Sequence, residues 1–129
     1  MNIYIADSVN QRTRARMLAG RLKSMGHEVT SSWIWRNETY EDIQDQPAVK
    51  KGIAETNVRD INRANIVVVF LDKPSTHGGK HFELGYAYGT GTALVVVGPP
   101  PSLGVFSFLP NIRRLDCQTD FLEWLELGG

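Results

Sequence analysis

Two rhythms of apolar residues alternate along the chain. Short unbroken runs, at 2–6, 66–71 (Ile-Val-Val-Val-Phe-Leu) and 94–97 (Leu-Val-Val-Val), are too short for helices and rich in β-branched residues. They predict strands buried on both faces. Between them, Ala15, Leu18, Ala19, Leu22 and Met25 recur at helical spacing, and Gly26 supplies a C-terminal stop. A second strand is expected over 27–35, ending in Trp33 and Trp35, which suit core or rim packing and could also stack on a base. Residues 36–46 are polar and turn-rich and predict a loop or flap, after which Pro47 fits a helix start.

The helix expected over 48–64 carries Val49, Ile53, Ile61 and Ala64 on one face, and rotation at about 100° per residue puts Asn57 and Asp60 there too. Polar groups on an inward stripe need partners or a ligand. Asn57, nearer the helix start, belongs closer to the carboxyl edge of the sheet than Asp60. Past a rigid Gly98-Pro99-Pro100-Pro101 loop, the apolar stretch 105–110 is a candidate subunit contact. A short edge strand is expected at 112–115, and a closing helix at 120–127 with Leu122 and Leu125 inward. About five strands alternating with four helices predict a three-layer α/β sandwich around a mostly parallel sheet, Rossmann-like and most simply flavodoxin-like in order 2-1-3-4-5. That order brings Tyr4 and Ser8 beside residues 72–83.

The 129 residues suit one domain spanning 1–129. Lys plus Arg equal Asp plus Glu at 14 each, so bulk charge points to no nucleic-acid polymer. The arginines of the first helix, Arg12, Arg14 and Arg16 among them, read as a solvated face. Cys117 is the only cysteine, and no run approaches the length of a membrane span. A cytoplasmic protein is the expectation.

The densest chemistry lies at Gly78-Gly79-Lys80-His81-Phe82-Glu83, between the 66–71 strand and a helix. A glycine pair allows close backbone approach to a ligand, and a helix start presents N–H groups to an anion. Glu83 is expected in the first turn, held ionised by the helix dipole. Such placement also occurs simply because it stabilises helices. His77 and His81 have no third partner for zinc, Gly-Gly-Lys lacks P-loop spacing, and no Gly-x-Gly-x-x-Gly follows the first strand. No cofactor or metal is implied.

Several segments together resemble the nucleoside 2-deoxyribosyltransferase family, which includes deoxynucleoside 5′-monophosphate N-hydrolases: Ile3-Tyr4-Ile5-Ala6, residues 26–33, residues 64–70, and above all Gly78 to Ala87 with its Glu-Leu-Gly-Tyr-Ala block. The resemblance implies cleavage of the N-glycosidic bond of 2′-deoxynucleosides or their monophosphates. Glu83 then matches the nucleophile and Tyr4 the hydroxyl that orients it. Ser8 matches the first-loop serine, and Ser107 a serine that a neighbouring subunit brings to the 5′-phosphate. Gly78 and Gly79, with Asp72 and His77 nearby, fit the substrate-binding turn. The implied partner is a small deoxynucleoside or deoxynucleotide, in a homodimer or higher homo-oligomer.

One position departs from the family pattern. Where members carry an aspartate that serves the departing base, this chain has Asn57, which can hydrogen-bond but cannot act as a general acid. Asp60 or Asp72 substitutes for it, or leaving-group activation is weak, or the chain is a nucleotide-binding or sensing module without turnover.

Overall fold

The computed structural model describes residues 1–75 and 77–129. Five strands, β1 (Asn2–Ala6), β2 (Glu28–Val29), β3 (Ile66–Phe70), β4 (Ala93–Val97) and β5 (Ile112–Leu115), form one parallel sheet in the order β2-β1-β3-β4-β5. The expected three-layer architecture and strand order are therefore observed. All five residues of β3 are buried, as are the last four of β4, because helices cover both faces of the sheet.

The helices are α1 (Arg12–Ser24), α2 (Tyr40–Ile43), α3 (Pro47–Asn62), α4 (Gly79–Gly89) and α5 (Gln118–Glu126). Helix α1 buries the predicted Ala15, Leu18, Ala19 and Leu22, and Gly26 follows its end at φ 91°, a left-handed position that favours glycine. Helices α1 and α5 lie on one face, where Arg21 meets Glu126 at 3.7 Å. Helices α3 and α4 cover the other, tied by the Tyr86 hydroxyl donating to Asn62 Oδ1 at 2.8 Å. In α5 the fully buried residues are Phe121 and Leu125, with Leu122 half-buried. No helix among the described residues is long and apolar enough to cross a membrane.

Two expectations are corrected at the sheet edge. The second strand is two residues long, and residues Ser32–Trp35 turn into a 3-10 helix. Side chains replace the missing ladder: the Ile5 N–H donates to Ser31 Oγ at 3.1 Å, and the Trp33 indole donates to the Ile5 carbonyl at 2.8 Å. Arg12, Arg14 and Arg16 of α1 are not a solvated face either, whereas Arg21 is exposed as expected. Arg12 donates to the carbonyls of Trp33 and Glu38, Arg16 to those of Ile34 and Arg36, and so they anchor the turn.

Residues 36–46, expected as a loop, contain α2. Thr39 and Asp42 form a reciprocal capping box, each side chain accepting the other's backbone N–H. The expected Pro47 helix start is observed, but Val49 is exposed and the inward face of α3 centres on Asp60 and Ile61.

Candidate active site

The chain leaves β1 toward one face of the sheet and β3 toward the other, which opens a crevice at their carboxyl ends. A cavity of about 620 Å³ fills it. Its walls come from the turn after β1 (Asp7, Ser8), the 33–43 segment (Trp33, Arg36, Tyr40), α3 (Ile53, Ala54, Asn57, Val58), and the glycine turn into α4 (Ser75, His77, Gly78, Gly79, Glu83).

Gly78 is the N-cap of α4 at φ 73°, so the helix starts at Gly79 and Glu83 is its fifth residue. Glu83 is thus not in the first turn, and the dipole does not set its charge state. It lies on the inward face with Lys80, Leu84 and Ala87 and is only 8% exposed. Burial pushes its carboxyl up to about 7, with a hydrogen bond from Tyr4 pulling the other way. The expectation of a dipole-stabilised carboxylate is corrected accordingly: desolvation dominates.

Tyr4, fully buried on β1, donates its hydroxyl to Glu83 Oε2. Burial first, and then the neighbouring Glu83, hold the phenol well above its ordinary pKa, so it stays protonated and remains a donor. Across the cavity mouth, the Tyr40 ring stacks on His77 with centroids 3.6 Å apart and planes 20° apart. That stack joins the 36–46 segment to the glycine turn.

The turn itself is anchored from below. Lys80 is 2% exposed, and its ammonium donates to the carbonyls of Phe70 and Lys73. Ser8, at the N-cap of the 3-10 turn Val9–Gln11, donates Oγ not to that turn but to the Pro74 carbonyl at 3.1 Å. Arg14 bridges Asp7 and Asp72, with nitrogen–oxygen distances of 2.7 Å to each. Replacing Lys80 with Met strips charged donors from buried carbonyls, an expected loss of about 1.5–3 kcal/mol. Hydrogen exchange should then accelerate first in residues 71–75, and unchanged protection there would contradict the anchoring role.

The structure thus brings Glu83, Ser8, His77, Gly78, Gly79 and Asn57 to one cavity, with Tyr4 buried behind Glu83 and bonded to it. It does not bring Asp60, Asp72 or Ser107. Asp60 Oδ2 accepts from the Ser32 N–H and hydroxyl, and Oδ1 accepts from Arg63. Asp72 is held by Arg14; burial alone would raise its carboxyl, but the guanidinium outweighs burial and lowers it. Ser107 is buried in the turn Val105–Phe108 and lines a second cavity, of about 460 Å³, beside α4. Asn57 takes a hydrogen bond on Oδ1 from Arg36 at 3.2 Å. Arg36 and Tyr40 are wall residues with no signal in the sequence, and Arg12, expected on a solvated face, joins them. Four-residue spacing of Arg12 and Arg16 beside an alanine stripe was the one signal for Arg12.

A buried carboxyl bonded to a tyrosine thus lies at the switch point of a flavodoxin-like sheet. The nucleoside 2-deoxyribosyltransferase family model matches residues 3–107, and the chain belongs to that family. A CMP N-glycosidase from Clostridium botulinum, BcmB, superposes with a TM-score of 0.65 at 13% identity, over 98% of this chain and 99% of that one. A 2-deoxyribosyltransferase from Bacillus psychrosaccharolyticus gives a TM-score of 0.71 at 16% identity, over 95% and 90%. A conserved protein from Enterococcus faecalis V583 gives 0.68 at 16% identity, over 100% and 99%. A comparison with curated proteins gives no match.

Proposed function

We propose that the chain cleaves the N-glycosidic bond of 2′-deoxynucleosides or their 5′-monophosphates through a glycosyl ester on Glu83. The carrying observation is the Glu83 carboxyl buried in the cavity and held by the Tyr4 hydroxyl. Tyr4 occupies Oε2, which leaves Oε1 to attack C1′. As the Oε1–C1′ bond forms, the C1′–N bond breaks and its electron pair leaves with the base. Water then displaces the ester to give free sugar, or a second base does so to give a new nucleoside. The apolar face of α3 suits a planar base, and the N–H groups at the start of α4, with Ser8 and Ser75, suit a sugar or phosphate. Incubation with a panel of deoxynucleosides and monophosphates, with chromatographic detection of base, tests this. Base release that survives Glu83→Gln would remove Glu83 from the mechanism.

Only the carboxylate attacks, so activity should rise with pH through about 7, the value to which burial pushes Glu83. The Tyr4 hydrogen bond lowers that value. Tyr4→Phe should therefore move the acid limb of the kcat/KM profile to higher pH and reduce the plateau. A limb that stays in place would separate Tyr4 from Glu83.

The working unit in this reading is a homodimer. Val105, Phe106 and Phe108 are exposed around the buried Ser107, which lies outside its own chain's main cavity. Sedimentation showing a monomer throughout would remove this part. A second reading, binding without turnover, is favoured by Asn57 on the cavity wall. It predicts nucleotide-dependent thermal stabilisation, about 2.7 kcal/mol at a hundredfold excess over Kd, with no base released.

A further inference from the structure

The wall opposite Glu83 has an unusual charge arrangement. Arg36 Nη2 donates to Asn57 Oδ1. A guanidinium carries donors only, so the amide oxygen must face it, and the Asn57 NH2 group is left for the cavity. Arg36 faces Glu38 at 3.0 Å, and Arg12 donates to the Glu38 backbone carbonyl. These three side chains together carry one net positive charge. Its reach is visible at Tyr4, whose pKa the Arg36 charge lowers against the stronger effects of burial and Glu83.

Among the described residues no carboxyl bonds to Asn57, and Glu41, which also lines the cavity, stands exposed in the first turn of α2 rather than on the α3 wall. Asp60 is saturated by Ser32 and Arg63, Asp72 and Asp7 by Arg14, and Glu38 is paired with Arg36. In the displacement, one negative charge moves from Glu83, which becomes a neutral ester, to the base nitrogen. The arriving charge meets a donor amide and a guanidinium that never loses its proton.

We propose that this site expels its base as an anion, received by the Asn57 amide in the field of Arg36, and so selects bases that are themselves N–H acids. The substrate class is then the pyrimidine-2,4-diones, uracil and its relatives, over cytosine and purines, which depart readily only when protonated. The base takes its proton from solvent after release. This rests on the reading of Glu83 as nucleophile.

Single-turnover release from deoxynucleotides of 5-fluorouracil, uracil, thymine and cytosine tests it. The rate should follow the acidity of the base, fastest for 5-fluorouracil and slowest for cytosine. Asn57→Asp made together with Arg36→Gln adds a carboxyl free of the guanidinium and should flatten that dependence, speeding cytosine release by about a hundredfold. Arg36→Gln should steepen it. Equal rates for 5-fluorouracil and thymine, or cytosine as the best substrate, would overturn the proposal while leaving the Glu83 reading intact. If no base is released from any substrate, the Glu83 reading fails and a binding measurement decides this one. At a pH where 5-fluorouracil is ionised and thymine is not, Glu83→Gln protein should bind 5-fluorouracil about tenfold more tightly, and Arg36→Gln should erase the difference. Equal binding in that measurement overturns the proposal.

Discussion

Replacing Glu83 with glutamine should end base release and at the same time make the fold more stable at pH 8. The folded protein holds the Glu83 proton up to about 7, against an ordinary 4.5 in the unfolded chain. The native state therefore binds this proton more tightly. Its contribution to stability is whole below about pH 4.5, declines above that, and is lost once the pH passes about 7. At about 1.4 kcal/mol for each tenfold change in proton affinity, the gap amounts to about 3 kcal/mol. Glutamine has nearly the same shape, still accepts the Tyr4 hydrogen bond and never ionises. The midpoint of thermal unfolding should therefore rise by on the order of 10 °C at pH 8. At about pH 4.5, where both side chains are neutral, the two proteins should melt together. A rise of the same size at both pH values would mean that the carboxylate is not strained by burial. Active sites commonly carry such a cost, because the charge that does the chemistry is poorly solvated in the resting protein.

Removing the guanidinium of Arg14 should have the largest effect on stability. Asp7 lies at the end of β1 with a side chain only 1% exposed, and both of its oxygens accept from Arg14. Burial already pushes the Asp7 carboxyl above its ordinary value, and the arginine holds it back. Arg14→Met leaves that carboxylate buried without its partner, and also releases Asp72, two residues past the end of β3. A loss of about 3–5 kcal/mol is expected in denaturant titrations, with a smaller loss when Asp7→Asn is made alongside it. If the double variant were no better than the single one, the loss would have to be assigned to the guanidinium's place over the Phe70 ring, 4.9 Å from its centroid.

Most of the sheet was legible because its central strands are buried on both faces and so read as unbroken apolar runs. The second strand was not. Glu28 to Trp33 has a strand-like composition, yet the pairing is completed by the Ser31 hydroxyl and the Trp33 indole, contacts that depend on tertiary position. The same limit applies to charge. Arg12, Arg14 and Arg16 sit off the apolar stripe, which commonly marks a wet surface, and only the fold shows them bonded to carbonyls and carboxylates. Within the site, Glu83 was findable from its glycine turn and Tyr4 from the strand order. Arg36 and Tyr40 were not, since the polar segment that carries them has no periodicity to place it. The helix register at Glu83 also depended on Gly78 adopting a left-handed conformation, which sets where α4 begins.

The short second strand has an effect beyond the pocket. A backbone left open along the outer side of β1 would invite a stranger's chain to lie down beside it, as happens at the growing end of a fibril. Here a hydroxyl and an indole have taken those positions, so the border of the sheet is closed with hardly any strand spent on it. The segment freed in this way turns upward and becomes part of the cavity wall.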